Sequence, residues 1–304
     1  MKGMIFTFNR RRTEEILFIV LCTGGGVLSV LFLFAILGTI TMEAIPSLGL
    51  YFILTAESEA PGVGGAIGNA IVGTVFISLF ATALATPLAL GTAVYLQRYA
   101  SKNAFTRGLR FLIEVLSGTP SIVLGIFGLL VLVFYLRAYT GGFSLLTGSI
   151  ALAILIMPVI ERAIEDAIIT VPTDLEHGSY ALGATKWQTI RHVTIPVAIS
   201  GILTGVVLGF GRAAEESAVV ILTAGYSQFF PEFAVKSSDK LAFGMKVYPL
   251  QDLVGTLPYS VYHAYENSNV IKMSDGFAAA FVLIVIVLLV NLTAKIILWK
   301  YGHD

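Results

Sequence analysis

The segment Val171 to Pro196, VPTDLEHGSYALGATKWQTIRHVTIP, is a polar, helically patterned insert between two long apolar runs, 145 to 169 and 196 to 224. Those runs belong to a chain of 304 residues that is 56% hydrophobic and 12% charged, with a mean hydropathy of +0.86. So little polar surface cannot cover a soluble domain, and lipid is the natural solvent. The formal net charge of zero gives no electrostatic footprint for nucleic acid. The single cysteine, Cys22, sits in an apolar run without a disulfide partner and reads as packing.

About 20 apolar residues cross a bilayer as a helix. Runs of that length occur at 16 to 40, 66 to 96, 111 to 136, 145 to 169, 196 to 224 and 277 to 299, which predicts an all-α membrane protein of about six transmembrane helices. The first run exceeds a signal-peptide core, lacks a small-residue cleavage pattern and continues into Thr41, Met42 and Glu43, so 16–40 reads as a retained anchor after an N-terminal segment, 1–15. Residues 66–299 form the remaining unit.

Orientation follows from Lys and Arg, which accumulate on the cytoplasmic side of short loops. Arg10, Arg11 and Arg12 precede the first run, Arg98, Lys102, Arg107 and Arg110 separate the second and third, and Lys186 and Arg191 lie in the insert, whereas 41–65 has neither residue type. Both termini and the 171–196 insert are thus expected in the cytoplasm, and the long 226–275 loop outside. Lys236, Lys240, Lys246 and Lys272 in that loop weigh little, because long loops translocate largely regardless of charge.

Within the insert, Leu175, Leu182, Trp187, Ile190 and Val193 recur at near-helical spacing and Gly183 interrupts them, which predicts two short helices joined at the glycine. Amphipathicity alone fits two occupants of the apolar face, a partner protein or the lipid surface.

Pattern goes further. The insert resembles the cytoplasmic coupling loop of type I ABC importer permeases, which carries an EAA motif, a glycine six residues on and a closing Ile-x-Leu-Pro. Leu182-Gly183-Ala184 and Val193-Thr194-Ile195-Pro196 match, but the Glu-Ala-Ala positions hold His177, Gly178 and Ser179, with Glu176 one place early. Gly73-Thr74 to Pro87-Leu88, Tyr95-Leu96, Ser117-Gly118-Thr119-Pro120-Ser121-Ile122-Val123 and Glu165-Asp166 before Val171-Pro172 are similar to the phosphate importer branch, over most of the chain from about residue 66. Leu257-Pro258, Tyr262, Asn291 and Ala294-Lys295 resemble its PstA type rather than its PstC type. The resemblance implies an ATPase contact through Glu176, His177, Ala181, Leu182, Gly183, Ala184 and Trp187. It also implies a PstC-like second permease, a dimer of a PstB-like ATPase carrying the ATP and magnesium, and a PstS-like periplasmic receptor.

A second polar feature, Gly211-Arg212-Ala213-Ala214-Glu215-Glu216-Ser217, falls inside the fifth apolar run. An Arg near mid-bilayer costs about 2.5 to 3.5 kcal/mol on insertion scales, so such charges face a bundle interior or wet cavity. Arg212 and Glu216 are i,i+4 and share a helix face. They read either as a neutralising pair that holds helices together or as a substrate gate. In the resembled family an Arg and a Glu four apart serve translocation, which carries over to Arg212 and Glu216. Glu215 stands where that family usually has Gly, beside Ser217.

Remaining polar groups read structurally: Glu161, Arg162, Glu165 and Asp166 as mutual ion pairs, Pro87, Pro120 and Pro158 as helix kinks, and Gly68, Gly73, Ala81 and Ala85 as close helix contacts. The chain has no G-x-x-x-x-G-K-[ST] phosphate loop, no H-E-x-x-H and no Gly-x-Ser-x-Gly, and His177, His192, His263 and His303 lack metal-ligand spacing. Neither cofactor nor metal is expected on this chain. The expectation is therefore a permease subunit for an inorganic oxyanion in a bacterial-type inner membrane. Phosphate is the first choice and tungstate or molybdate the alternative. A secondary anion transporter, the remaining class, often shows inverted repeats, which the two halves do not display.

Overall fold

The computed structural model of the chain describes residues 2–101, 103–238, 241 and 245–301, and the side chains of 2–13 and 297–301 lie outside that description, as do Lys102, Lys240 and His303. Arg10, Arg11 and Arg12 are thus placed by backbone only.

The order of elements is α1 (Lys2–Ala44), α2 (Leu50–Leu54), a 3₁₀ turn (Glu57–Glu59), α3 (Gly68–Val94), α4 (Ala104–Gly118), α5 (Ser121–Gly128), α6 (Arg137–Thr140) and α7 (Leu145–Ile169). Then come α8 (Thr173–Ala181), α9 (Lys186–Thr189), α10 (Ile195–Ala214), α11 (Ala218–Thr223), the antiparallel strands β1 (Val235–Ser237) and β2 (Met245–Val247), α12 (Leu257–Glu266) and α13 (Met273–Tyr301). π-Helical turns at Tyr95–Tyr99, Leu129–Tyr135 and Ile190–Thr194 extend α3 and α5 and lead into α10. The last of these lies just before Pro196, which has no N–H to donate to the preceding turn.

Five helices among the described residues are long and apolar enough to cross a membrane, and a sixth span is formed by α4 and α5 if that pair counts as one. The expected span at 111–136 is not straight. Gly118-Thr119-Pro120 breaks it, and the two halves meet at 103°. Helical backbone is disfavoured for the residue before a proline, and Thr119 is extended with ψ 129°. The expected 196–224 span is corrected in the same way: α10 stops at Ala214 and α11 resumes at Ala218. Pro87 and Pro158, in contrast, lie inside unbroken helices.

Small residues set the packing. On α3, Ala81, Ala85, Ala89 and Ala93 form an i,i+4 stripe that is fully buried, and on α7, Ile156, Ile160, Ile164 and Ile168 form another, both in the main core. On α10, Gly201, Gly205 and Gly209 press on Ala167, Ala163 and Ile160 of α7, where any Cβ would collide. In lipid, where apolar side chains gain nothing by leaving an apolar solvent, such close backbone approach and van der Waals contact drive association. α7 is accordingly the central helix, with α3 and α10 packed along it.

One end of the bundle carries α8 and α9, the loop end. The opposite end is covered by the described parts of the 226–275 loop: Leu145 N–H donates to Asp252 O at 2.8 Å, Leu257 N–H to Thr74 Oγ1 at 2.8 Å, and Asn69 Nδ2 to Ser227 O at 2.7 Å. Ala44 of α1 and Ala278 of α13 share a second core with Phe52 and Leu257 at this far end. The first turn of α1 and the last turn of α13 therefore lie toward the loop end.

Candidate functional site

The insert folds as two helices joined by a glycine elbow. α8 ends at Ala181 with Leu182 as its C-cap, Gly183 takes φ +83°, and Thr185 opens α9 through a capping box with Gln188. That left-handed angle belongs to glycine.

Glu176 locks the elbow to the bundle. Its side chain is 11% exposed, and the carboxylate accepts from Arg98 Nε at 2.8 Å and from Thr194 Oγ1 at 2.7 Å, while Arg98 Nη2 donates to Ile168 O at 3.1 Å. One carboxylate thus joins α8, the turn before α10, and the guanidinium at the end of α3, which is itself fastened to the end of α7. The π-helical turn Tyr95–Tyr99 presents both Gln97 and Arg98 to buried carboxylates: Gln97 Nε2 donates to Glu165 Oε1 at 2.6 Å, beside Arg110 Nη1 at 2.8 Å. Arg162 reaches the other Glu165 oxygen at 3.3 Å. The expected mutual pairing of 161–166 is therefore corrected. Glu165 collects both guanidinium groups, and Glu161 Oε1 is buried with no hydrogen-bond partner.

Beyond Glu176 the insert is open. His177, Ala181, Leu182, Gly183 and Trp187 are exposed, Ala184 is half-buried, and Leu182 is bare to 91%. Ile190, in the same apolar series, faces inward. Lys186 sits 4.9 Å from the Tyr99 ring centre.

The second site is the break between α10 and α11. Gly209 rests on Ile160 and Ile156, the middle of α7, so Arg212 lies about a turn past the bundle centre. Arg212 Nη2 meets Glu216 Oε2 at 2.8 Å. The other Glu216 oxygen accepts the Ala218 N–H at 3.1 Å and so caps α11. The Glu216 side chain is 4% exposed and that of Arg212 is 42% exposed, an asymmetric pair: a buried anchor holding a presented cation. Glu215 is exposed and has no ion pair or hydrogen-bond partner for its side chain among the described residues, and Ser217 is half-buried at the start of α11.

Sequence reasoning missed Arg98 and Thr194 as the partners of Glu176. They lie 78 and 18 residues away, and no local pattern marks them. It also left Gly201, Gly205 and Gly209 unread, although their i,i+4 spacing is visible.

Residues 85–298 match the family described as binding-protein-dependent transport system inner membrane component. The chain belongs to this family. Among curated relatives, it is 38% identical over 187 residues to the probable ABC transporter permease protein YqgI of Bacillus subtilis, covering 61% of this chain and 62% of that one. It is 34% identical over 210 residues to the phosphate transport system permease protein PstA 1 of Mycobacterium tuberculosis, covering 68% and 62%. The chain thus spans a little over six tenths of these relatives' lengths. Among solved structures, a bacterial alginate ABC transporter chain superposes with a TM-score of 0.62 at 14% identity over 95% of this chain and 96% of that one. A chain of the MetNI methionine ABC transporter superposes with 0.58 at 17% over 77% and 95%. These likenesses establish the fold as that of ABC importer permeases and the chain as a multi-pass membrane protein.

Proposed function

We propose that this chain is the PstA-like permease subunit of an ATP-driven phosphate importer, with residues 66–299 forming half of the translocation path and 16–40 an added anchor. The observation that carries this reading is the break between α10 and α11, where buried Glu216 holds exposed Arg212 near mid-bundle. A guanidinium offers a planar set of donors that matches a tetrahedral oxyanion, and here it is fixed without being covered. The phosphate transport names among the curated relatives support the same substrate.

The chain has no phosphate loop of its own, so ATP and magnesium belong to a PstB-like ATPase dimer docked on Leu182 and Trp187 at the loop end. A PstC-like permease completes the path and a PstS-like receptor delivers the anion at the far end. In this reading the loop end and both termini are cytoplasmic, in a bacterial inner membrane. ATPase closure moves α8, and Glu176 passes that motion to α3 and α7 through Arg98, a rigid-body switch.

Uptake of radiolabelled phosphate into proteoliposomes holding the assembled complex and saturating receptor tests the site. Arg212→Gln is expected to abolish uptake, and Glu216→Gln, which keeps an acceptor for Ala218 N–H, to lower it at least about tenfold, an increment of about 1.4 kcal/mol. Wild-type uptake by an Arg212→Gln/Glu216→Gln double variant would reduce the pair to mutual neutralisation. A second reading is another tetrahedral oxyanion such as tungstate or molybdate, which the same guanidinium would hold; exposed Glu215 repels either anion and does not choose between them. Competition by tungstate or molybdate at equal receptor occupancy separates the two. Orientation is checked with Cys22→Ser/Ser237→Cys, which an impermeant thiol reagent should label from outside.

A further inference from the structure

A cavity of about 600 Å³ opens between α4 and the last turns of α7 at the loop end, and the translocation scheme does not use it. Its charged lining is Arg110 and Glu114 from α4 and Glu161, Arg162, Glu165 and Asp166 from α7. Glu165 already holds both arginines, each through one nitrogen. A guanidinium has five N–H donors, so both retain free ones. Glu114 and Asp166 have no ion-pair partner among the described residues, and Glu161, 1% exposed, has an oxygen with no hydrogen bond. A buried carboxylate without a donor is costly and calls for a ligand.

The lining selects that ligand by charge. Four carboxylates against two guanidinium groups disfavour a bare anion. Among the described residues no three acidic, histidine or cysteine side chains lie close enough to hold a metal ion. A zwitterion satisfies both signs: an ammonium donates to Glu161 and Asp166, and a phosphodiester accepts from the free N–H groups of Arg110 and Arg162. The setting supplies the rest. α4 turns by 103° from α5, and its exposed Phe105, Phe111, Leu112 and Val115 lie on the side opposite Arg110, Glu114 and Ser117, as in an interfacial amphipathic helix.

We propose that this cavity binds the headgroup of an amine-bearing phospholipid, with phosphatidylethanolamine as the fitting class, and that the bound lipid braces α4 against α7. The trimethylated ammonium of phosphatidylcholine has no N–H and binds more weakly.

The test is native mass spectrometry of the whole transporter complex released from nanodiscs of phosphatidylethanolamine with phosphatidylglycerol, or of phosphatidylcholine with phosphatidylglycerol. The wild-type complex is expected to keep phosphatidylethanolamine through delipidation at least about tenfold better than either other lipid. Glu161→Gln and the exposed-site Asp166→Asn should each erase that preference, so a folding defect in the first leaves the second to decide. Equal retention of the three lipids, or unchanged preference in Asp166→Asn, overturns the proposal. So does displacement of the lipid by free phosphoethanolamine at micromolar concentration, which would make a soluble amine phosphate the ligand.

Discussion

Removing the Glu176 carboxylate should release the coupling elbow from the bundle. Glu176→Ala deletes two contacts, Arg98 Nε at 2.8 Å and Thr194 Oγ1 at 2.7 Å, and both ionic side chains are mostly buried, at 16% and 11% exposure. Breaking a buried ion pair from one side costs about 3 to 5 kcal/mol. Arg98 keeps its bond to Ile168 O, which argues for the lower end, and Thr194, fully buried, loses an acceptor worth about 1 kcal/mol. The expected loss is about 3 kcal/mol. Replacing both charges, Arg98→Met/Glu176→Met, should cost about 1 kcal/mol, since apolar groups of similar volume leave no uncompensated charge. Thr194→Val should cost about 1 kcal/mol by itself. The assay is equilibrium unfolding in mixed micelles, followed by the fluorescence of Trp187 in a Trp299→Phe background. A loss below about 1 kcal/mol in Glu176→Ala, or a double variant as unstable as the single one, would refute the clamp.

Three further outcomes are expected. Leu182→Asp, at a side chain 91% exposed, should change stability by less than about 0.5 kcal/mol, yet prevent copurification of the ATPase; normal ATPase recovery would place the contact elsewhere. Gly183→Ala meets no atom within 4 Å, so its cost is the left-handed backbone alone, about 1 to 2 kcal/mol in the Trp187 assay, and no loss would mean the elbow relaxes freely. Burial pushes the Glu57 carboxyl above its ordinary value, against the opposing pull of the Gly64 N–H and His263. A raised folded-state pKa gives stability that is complete below the ordinary carboxylate range and lost as pH rises through the raised value. Glu57→Gln should therefore remove that fall as pH rises out of the ordinary carboxylate range; an unchanged pH slope in thermal melts would count against it.

The sequence by itself determined the solvent, the class and most helix positions, because these depend on local quantities. A run of apolar residues must be helical in lipid whatever surrounds it, and α7 and α13 fall within a few residues of the runs read at 145–169 and 277–299. The elbow at Gly183 was legible for the same reason, since a left-handed turn needs glycine. The i,i+4 spacing of Arg212 and Glu216 also marked them as neighbours. Tertiary structure decided the rest. Hydropathy does not encode direction, so the apolar run at 111–136 hid a 103° bend. Nor did periodicity tell which member of the Arg212–Glu216 pair is buried, because that depends on α11 offering its Ala218 N–H to Glu216. Glu176 gained its role as anchor from Arg98, and Glu161 was left unpaired because Glu165 took both arginines. Partners separated by 55 to 78 residues meet only once α3, α4 and α7 have packed, and what a buried charge does follows from who reaches it there.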